Sequence, residues 1–191
     1  MILTHVNVFE FINISSQTNV MPILVVTGEP RIGKITAVMR VAQILKEKGL
    51  KVGGIVSREI TSNNIRTGFE FIDLSTNKKA VLASTSGKGP RIGKYFVDME
   101  GCRFAVNVLI VAIKDSDVII CDELGPMEFK SKEFVDCVKS ILNLDKPVIV
   151  VVHRTLRHPV IDQSRNRASF SINIDLQNRN KVPALLLDGL Q

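Results

Sequence analysis

An apolar run that leads through a glycine loop into an amphipathic segment constrains the fold of this 191-residue chain more than any other feature. Residues 22–27 are mostly apolar and predict a buried strand, and residues 33–48 carry apolar side chains at the spacing of a helix. A strand, a G-x-x-x-x-G-K loop and a helix in this order are the arrangement of a phosphate-binding loop. The loop and the two residues after it read Gly28, Glu29, Pro30, Arg31, Ile32, Gly33, Lys34, Ile35 and Thr36.

The residue types of this loop suit the binding of nucleotide phosphates. Glycines allow the backbone to curl so that successive N–H groups point at phosphate oxygens, and the helix N-terminus adds the positive end of a dipole. Lys34 can reach the β- and γ-phosphates, which makes it a candidate catalytic residue as well as a ligand. We therefore predict that residues 28–36 bind nucleotide.

Two positions depart from this pattern. Ile35 stands where a Ser or Thr hydroxyl would bind Mg²⁺, and Arg31 has a side chain that limits left-handed backbone conformations. Thr36 does not simply replace the missing hydroxyl, because one helical step turns a side chain by about 100°. Mg²⁺ keeps several waters and also binds phosphate oxygens, so the loss of one ligand weakens its binding without abolishing it. We therefore expect weaker metal affinity, with Thr36 or water as the alternative ligand.

The rest of the chain alternates strands with helices. Further strands are predicted at residues 51–57, 117–121, 147–152, 170–176 and, more weakly, 185–187. Helices are predicted at residues 99–114 and 129–142, and an antiparallel hairpin at 69–74 and 80–83. Strands that are apolar on both faces and separated by helices indicate an α/β fold, with a predominantly parallel sheet flanked by helices and an inserted antiparallel hairpin.

Polar residues follow two of these strands at their carboxyl ends, where ligands bind in open α/β sheets. Asp122 and Glu123 end the strand at 117–121; an Asp there can hold Mg²⁺, and the next carboxylate can polarise an attacking water. His153 and Arg154 follow the strand at 147–152, with Arg157 and His158 close behind. Their side chains could contact a γ-phosphate and stabilise charge in the transition state.

Composition excludes several classes of protein. Hydrophobic residues make up 45% of the chain and charged residues 23%, which is the usage of a globular protein with a sizeable core. Three cysteines without C-x-x-C spacing predict neither a disulfide scaffold nor a zinc site, and favour a reducing cytoplasm. Residues 1–20 do not have the pattern of a signal peptide, and no membrane span is predicted.

We expect a monomer with one domain over residues 21–191. Residues 1–20 precede this domain as an extension or a start-site artefact, or equally as an added edge strand. The balance of 25 Lys and Arg against 19 Asp and Glu gives a net charge of +6, which suits phosphate-bearing ligands. Nucleic acid stays open as a partner, although the absence of Trp and a single Tyr argue against a base-stacking surface.

The segments described above resemble, in the same order, the P-loop nucleoside-triphosphatase family first described from thermophiles, which has a human cancer-related member. The most specific match is Asp122 to Glu128, which resembles the family's Asp-Glu-Ile-Gly-(Pro/Lys)-Met-Glu segment. Residues 150–159, which form the next strand and the basic loop after it, are similar to the strand and basic loop that follow this acidic segment in the family. Shorter matches lie at Gly53-Gly54-Ile55 to Arg58, Gly68-Phe69 and Gly89 to Tyr95, and the likeness runs from Pro22 to Arg167.

The resemblance implies a RecA-like fold that hydrolyses nucleoside triphosphates, ATP and GTP among them, with Mg²⁺ and loose base selectivity. Carried over by position, Lys34 would bind phosphates, Asp122 would hold Mg²⁺ and Glu123 would be the catalytic base. Family members usually have glycine and threonine at the positions of Arg31 and Ile35, so these departures bear on catalysis more than on nucleotide binding. Two alternatives stay open: a nucleotide or small-molecule kinase with Arg154 and Arg157 as a phosphate clamp, and a nucleotide-binding module with weakened catalysis.

Overall fold

The computed structural model describes residues 21–191, in which nine strands form one sheet. The expected extension or edge strand at 1–20 lies outside the described residues. The strands are β1 (Ile23–Gly28), β2 (Val52–Ser62), β3 (Ile65–Asp73), β4 (Lys79–Ser84), β5 (Arg91–Ile92), β6 (Tyr95–Val97), β7 (Val118–Leu124), β8 (Val148–Val152) and β9 (Phe170–Ile174). The helices are α1 (Lys34–Glu47), α2 (Met99–Asp115), α3 (Lys132–Ile141), α4 (Pro159–Arg167) and α5 (Val182–Gly189), with a 3₁₀ turn at Glu128–Lys130.

The order of strands across the sheet is β5-β6-β4-β3-β2-β7-β8-β1-β9. The five strands from β2 to β9 in this order pair in parallel, as their continuous apolar sequences predict. The four strands from β5 to β3 pair antiparallel and extend the sheet beyond β2. The α/β class is therefore confirmed, and the antiparallel insertion is larger than the predicted hairpin.

Helices cover both faces of the sheet. On one face α1 and α5 pack through Val38, Val41 and Leu186 against alternate side chains of the central strands. On the other face α2, α3 and α4 contribute Leu109, Phe134 and other buried side chains to a second core. Because apolar residues of β1, β7 and β8 enter both cores, these strands are rigid supports for whatever follows their carboxyl ends.

Several predicted elements need correction. The strand predicted at 51–57 continues to Ser62 and turns back into β3 through Asn63 and Asn64, which both have positive φ angles. The helix predicted at 129–142 begins at Lys132, because Ser131 caps it by accepting a hydrogen bond from the Phe134 N–H. Helix α4 was not predicted.

The strand predicted at residues 185–187 is wrong, since these residues lie in helix α5. Val182 and Leu186 are four residues apart and both are buried against α1, which is helical spacing. Among residues 21–191, no helix has the length and apolar composition needed to cross a membrane.

Candidate functional site

The loop between β1 and α1 has the form that the sequence predicts. Gly33 is the N-cap of α1 and has φ 115, a conformation that favours glycine. Within residues 21–191, no side chain caps this helix, and its first turn carries no acidic residue. The free N–H groups at the helix start are therefore open to an anion, and residues 33–36 line a cleft of about 680 Å³.

Lys34 lies folded along the loop. Its Nζ donates hydrogen bonds to the carbonyl oxygens of Gly28 at 3.1 Å and Glu29 at 3.2 Å, and it lies 3.8 Å from Glu123 Oε2. The Lys34 side chain is only 9% exposed, so its charge is confined to the floor of the cleft. An ammonium group in this place can move from the loop carbonyls to a bound phosphate.

The two acidic residues at the end of β7 lie in different surroundings. Asp122 is 1% exposed, and neither carboxylate oxygen has a hydrogen-bond partner among the described residues. Burial raises the pKa of the Asp122 carboxyl well above its ordinary value, and the neighbouring Glu123 raises it further. The Glu123 side chain is 26% exposed and faces the cleft beside Lys34, where it can contact solvent. One acid is therefore sequestered and the other accessible.

The donor set fits a Mg²⁺ ion that is bound largely through phosphate and water. The orphaned Asp122 carboxylate is a buried hard-oxygen ligand without a partner, which a divalent cation would satisfy. Residues 21–191 contain no cluster of three His, Cys, Asp or Glu side chains that could hold a metal without help. Ile35 lines the cleft without an oxygen, and Thr36 is exposed at the same edge.

Arg31 adopts a left-handed backbone conformation, with φ 64, although its side chain was expected to limit such conformations. Its guanidinium donates to both carboxylate oxygens of Glu59 on β2, with Nε at 3.2 Å and Nη2 at 2.6 Å. Arg66 on β3 donates to the same Glu59 at 2.6 Å and to the Tyr95 hydroxyl at 2.8 Å. The phosphate loop is thereby joined to the antiparallel part of the sheet.

Arg154 lies in the segment that follows β8, the strand that pairs with β1. Its guanidinium forms an ion pair with Glu29, in which both side chains are more than half exposed. His153 also lines the cleft, and its Nδ1 accepts a hydrogen bond from the Leu156 N–H. The glycine loop, the acids of β7 and the segment after β8 thus meet at one edge of the sheet, as predicted.

Two of the basic residues suggested by the sequence lie outside this cleft. His158 caps α4 by accepting from the Val160 N–H at 3.3 Å, and its ring stacks on Phe129 at 3.9 Å between centroids. Burial lowers the pKa of the His158 imidazole. Arg157 does not line the cleft. Their roles in the described structure are therefore not at the phosphate loop.

The cleft also contains residues that were not predicted as site residues, among them Glu59, Arg66 and Glu128. Glu128 is 4% exposed, and burial raises the pKa of its carboxyl to about 8. The Asn63-Asn64 pair between two alternating segments was the available signal for the hairpin that brings Glu59 and Arg66 together. For Glu128 the available signal was the resemblance of residues 122–128 to the family's acidic segment.

The strand, glycine loop and helix, with Asp122 on a nearby parallel strand, define a P-loop nucleotide-binding protein. Residues 23–187 match the protein-family model NTPase_1, described as NTPase, and the chain belongs to this family. The family predicted from the sequence is confirmed.

Relatives are similar over most of their length. The nucleoside-triphosphatase THEP1 of Methanopyrus kandleri is 38% identical over 167 residues, which are 86% of this chain and 93% of that protein. The protein of the same name from Methanosarcina barkeri is 41% identical over 162 residues, which are 84% of this chain and 92% of that protein.

Two solved structures share the fold. The crystal structure of THEP1 from the hyperthermophile Aquifex aeolicus has a TM-score of 0.75 and 29% identity, covering 88% of this chain and 99% of that one. The solution structure of a human cancer-related nucleoside triphosphatase has a TM-score of 0.75 and 25% identity, covering 89% of this chain and 97% of that one.

Proposed function

We propose that this protein hydrolyses nucleoside triphosphates, ATP and GTP among them, to the diphosphate and inorganic phosphate. One observation carries the proposal: Lys34 Nζ lies 3.8 Å from the Glu123 carboxylate, at the floor of a cleft that begins with the phosphate loop. A phosphate-binding cation and an accessible base are therefore adjacent. Membership of the NTPase family and the names of the relatives support the same activity.

In this proposal residues 28–36 bind the phosphates through backbone N–H groups and Lys34. Glu123 accepts a proton from the water that attacks the γ-phosphorus, while the bond to the bridging oxygen breaks and the diphosphate leaves with the electron pair. Lys34 and Arg154 neutralise negative charge on the phosphate oxygens as the bond breaks. Glu29 must release Arg154 for this role, which their exposed ion pair permits.

Asp122 would hold a Mg²⁺ ion, directly or through water, and Thr36 or water would supply the ligand that Ile35 lacks. Bound there, the ion neutralises phosphate charge and orients the triphosphate. A bound cation would offset the cost of ionising Asp122 in its buried position, so metal binding and ionisation of this carboxyl are coupled.

We propose loose base selectivity because the contacts assigned to the loop reach only phosphate, and none of them reads a base. Three free cysteines support a reducing cytoplasm. A monomer is the simplest form of the protein with this site, because every proposed group comes from one chain.

The test measures inorganic phosphate released from ATP and from GTP, without an acceptor, in Mg²⁺ and in EDTA. We expect Mg²⁺-dependent release with both nucleotides and its loss in Lys34→Ala. Arg103→Ala is the matched control, because it removes one positive charge from an exposed pair with Glu100 on α2. Absence of release from the wild type, with the fold intact by circular dichroism, would contradict the proposal.

A further inference from the structure

The loop residue Arg31 and the helix residue Ile35 line the same cleft and depart from the metal-dependent pattern in opposite senses. Ile35 removes an oxygen that could bind a cation, and Arg31 adds a cation to the loop. We infer that the two are a compensating pair: Arg31 binds the triphosphate directly and supplies positive charge that the metal supplies less effectively here. The inference rests on the proposed function and concerns how the same site tolerates its weak metal ligation.

The backbone of Arg31 indicates that its side chain has a use. A non-glycine residue with φ 64 is in a disfavoured left-handed conformation, which glycine would adopt at no steric cost. Such conformations persist only where the surrounding structure holds them in place, and they cluster at ligand-binding and active sites. The Arg31 side chain is 68% exposed, and Glu59 holds it in a solvent-accessible ion pair rather than in the core.

The Glu59 pair is built so that Arg31 can leave it. Glu59 also accepts a hydrogen bond from Arg66 at 2.6 Å. Arg66 is itself anchored by the Tyr95 hydroxyl and by its position over the rings of Phe69 and Tyr95. When Arg31 turns to a phosphate, the Glu59 carboxylate therefore keeps a charged donor, and no charge is left unpaired in a partly buried place.

The chemistry of the exchange favours a triphosphate. A guanidinium donates several N–H groups in a planar fork that matches two phosphate oxygens, and it stays charged at every working pH. A triphosphate presents more negative charge than the single Glu59 carboxylate, so nucleotide can displace Glu59 from Arg31. A directly bound arginine also needs no hydroxyl at the position of Ile35.

The experiment is a double-mutant cycle of nucleotide affinity. Wild type, Arg31→Gly, Ile35→Thr and the double variant are titrated with a fluorescent N-methylanthraniloyl derivative of adenosine 5′-(β,γ-imido)triphosphate, each in Mg²⁺ and in EDTA. Glycine is chosen at residue 31 because it accepts the left-handed backbone. Arg103→Ala controls for loss of one positive charge, and Arg31→Lys tests charge without the planar fork.

For wild type we expect affinities in Mg²⁺ and in EDTA within about threefold of each other, because Arg31 is present in both. Arg31→Gly should lose about tenfold or more in EDTA, the worth of a charge-assisted hydrogen bond, and less in Mg²⁺. Ile35→Thr should raise affinity in Mg²⁺ only, and the double variant should depend on Mg²⁺ most strongly.

Equal affinities of wild type and Arg31→Gly in EDTA would overturn the inference while leaving the proposed function standing. Strictly additive effects of the two substitutions in Mg²⁺ would also overturn the compensation, since a compensating pair is coupled. Failure of the wild type to bind the probe in either condition would instead overturn the proposed function and this inference with it.

Discussion

Lys34 Nζ lies 3.8 Å from Glu123 Oε2, a distance that makes an ion pair but is too long for a hydrogen bond. The same Nζ donates hydrogen bonds to the carbonyl oxygens of Gly28 and Glu29. The lysine is therefore held over the loop by two carbonyl acceptors and by the charge of the Glu123 carboxylate. A phosphate that enters the loop competes for this ammonium group, and Glu123 is then freed toward the cleft. In the proposed mechanism, this arrangement links phosphate binding to the release of Glu123 as the base.

The first prediction concerns Glu123→Gln, which removes the base and keeps the shape. Phosphate release should fall by about 10²-fold to 10⁴-fold, the range for loss of a general base. Nucleotide affinity should stay level or rise, because Lys34 loses a competing negative charge. Single-turnover phosphate release and equilibrium binding of a non-hydrolysable nucleotide check the two halves separately. Loss of affinity in parallel with loss of turnover would show a binding role instead.

The elements at this edge of the sheet were predictable because their signals are local. β1, β7 and β8 are continuous apolar runs, and Gly33 and Lys34 mark the start of α1. Ends of parallel strands must meet at one edge, so the convergence of Gly28, Asp122 and His153 followed from chain order alone.

The ion pairs around the loop were not predictable from local pattern. The contact between Arg31 and Glu59 depends on the register of β2 with β3, and the strand predicted at 51–57 ended before Glu59. The prediction of a strand at residues 185–187 was wrong for a different reason. A short apolar run such as residues 185–187 fits a strand or a helix equally well, and packing of Leu186 on α1 decides between them.

The second prediction concerns the pH dependence of stability. The pKa of Glu128 is raised from its ordinary value to about 8 by burial, so between pH 4.5 and 8 the unfolded chain is ionised at this residue while the folded chain is not. The contribution of the buried Glu128 carboxyl to the free energy of unfolding is therefore fully present below pH 4.5. It falls as the pH rises from 4.5 to 8 and levels off above 8. Glu128→Gln should be more stable than wild type at pH 8, by about 4 kcal/mol, and equal to it near pH 4.

Urea unfolding of both proteins between pH 4 and 9 measures this difference. Glu133→Gln is the control with the opposite sign, because hydrogen bonds from its own backbone N–H and from Ser131 lower the pKa of Glu133. Its stabilising effect is present above the unfolded pKa and is lost as the pH falls through the lowered value. A constant gap between wild type and Glu128→Gln across the range would contradict a buried neutral Glu128.

The third prediction concerns Gly54, which pairs with Ile120 where β2 joins β7. Gly54 has φ 109, and a Cβ there would overlap the Ile120 backbone. Gly54→Ala should therefore lower the free energy of unfolding by about 3 kcal/mol or more, through strain and a clash with backbone. Gly49→Ala is the matched control: it has φ 86 and open space around it, so about 1 kcal/mol is expected. Equal losses in urea unfolding would mean that backbone conformation alone sets the cost.

The fourth prediction concerns Arg154 and its partner Glu29. Both side chains are more than half exposed, so the pair adds little to stability and is free to exchange. Arg154→Ala should lower kcat by about 10²-fold or more and change KM much less, because an arginine that stabilises transition-state charge acts mainly on the chemical step.

Glu29→Gln should act in the other direction, because it frees Arg154 in the absence of nucleotide and removes a negative charge beside the phosphate loop. We expect affinity for a non-hydrolysable triphosphate to rise about threefold to tenfold at low salt, and the gain to shrink at high salt as screening weakens both effects. Combined with Arg154→Ala, the same substitution should give a smaller gain, since the displaced pair is already absent. A loss of affinity in Glu29→Gln would contradict this account and would place the Glu29 carboxylate among the groups that hold the nucleotide, directly or through its metal.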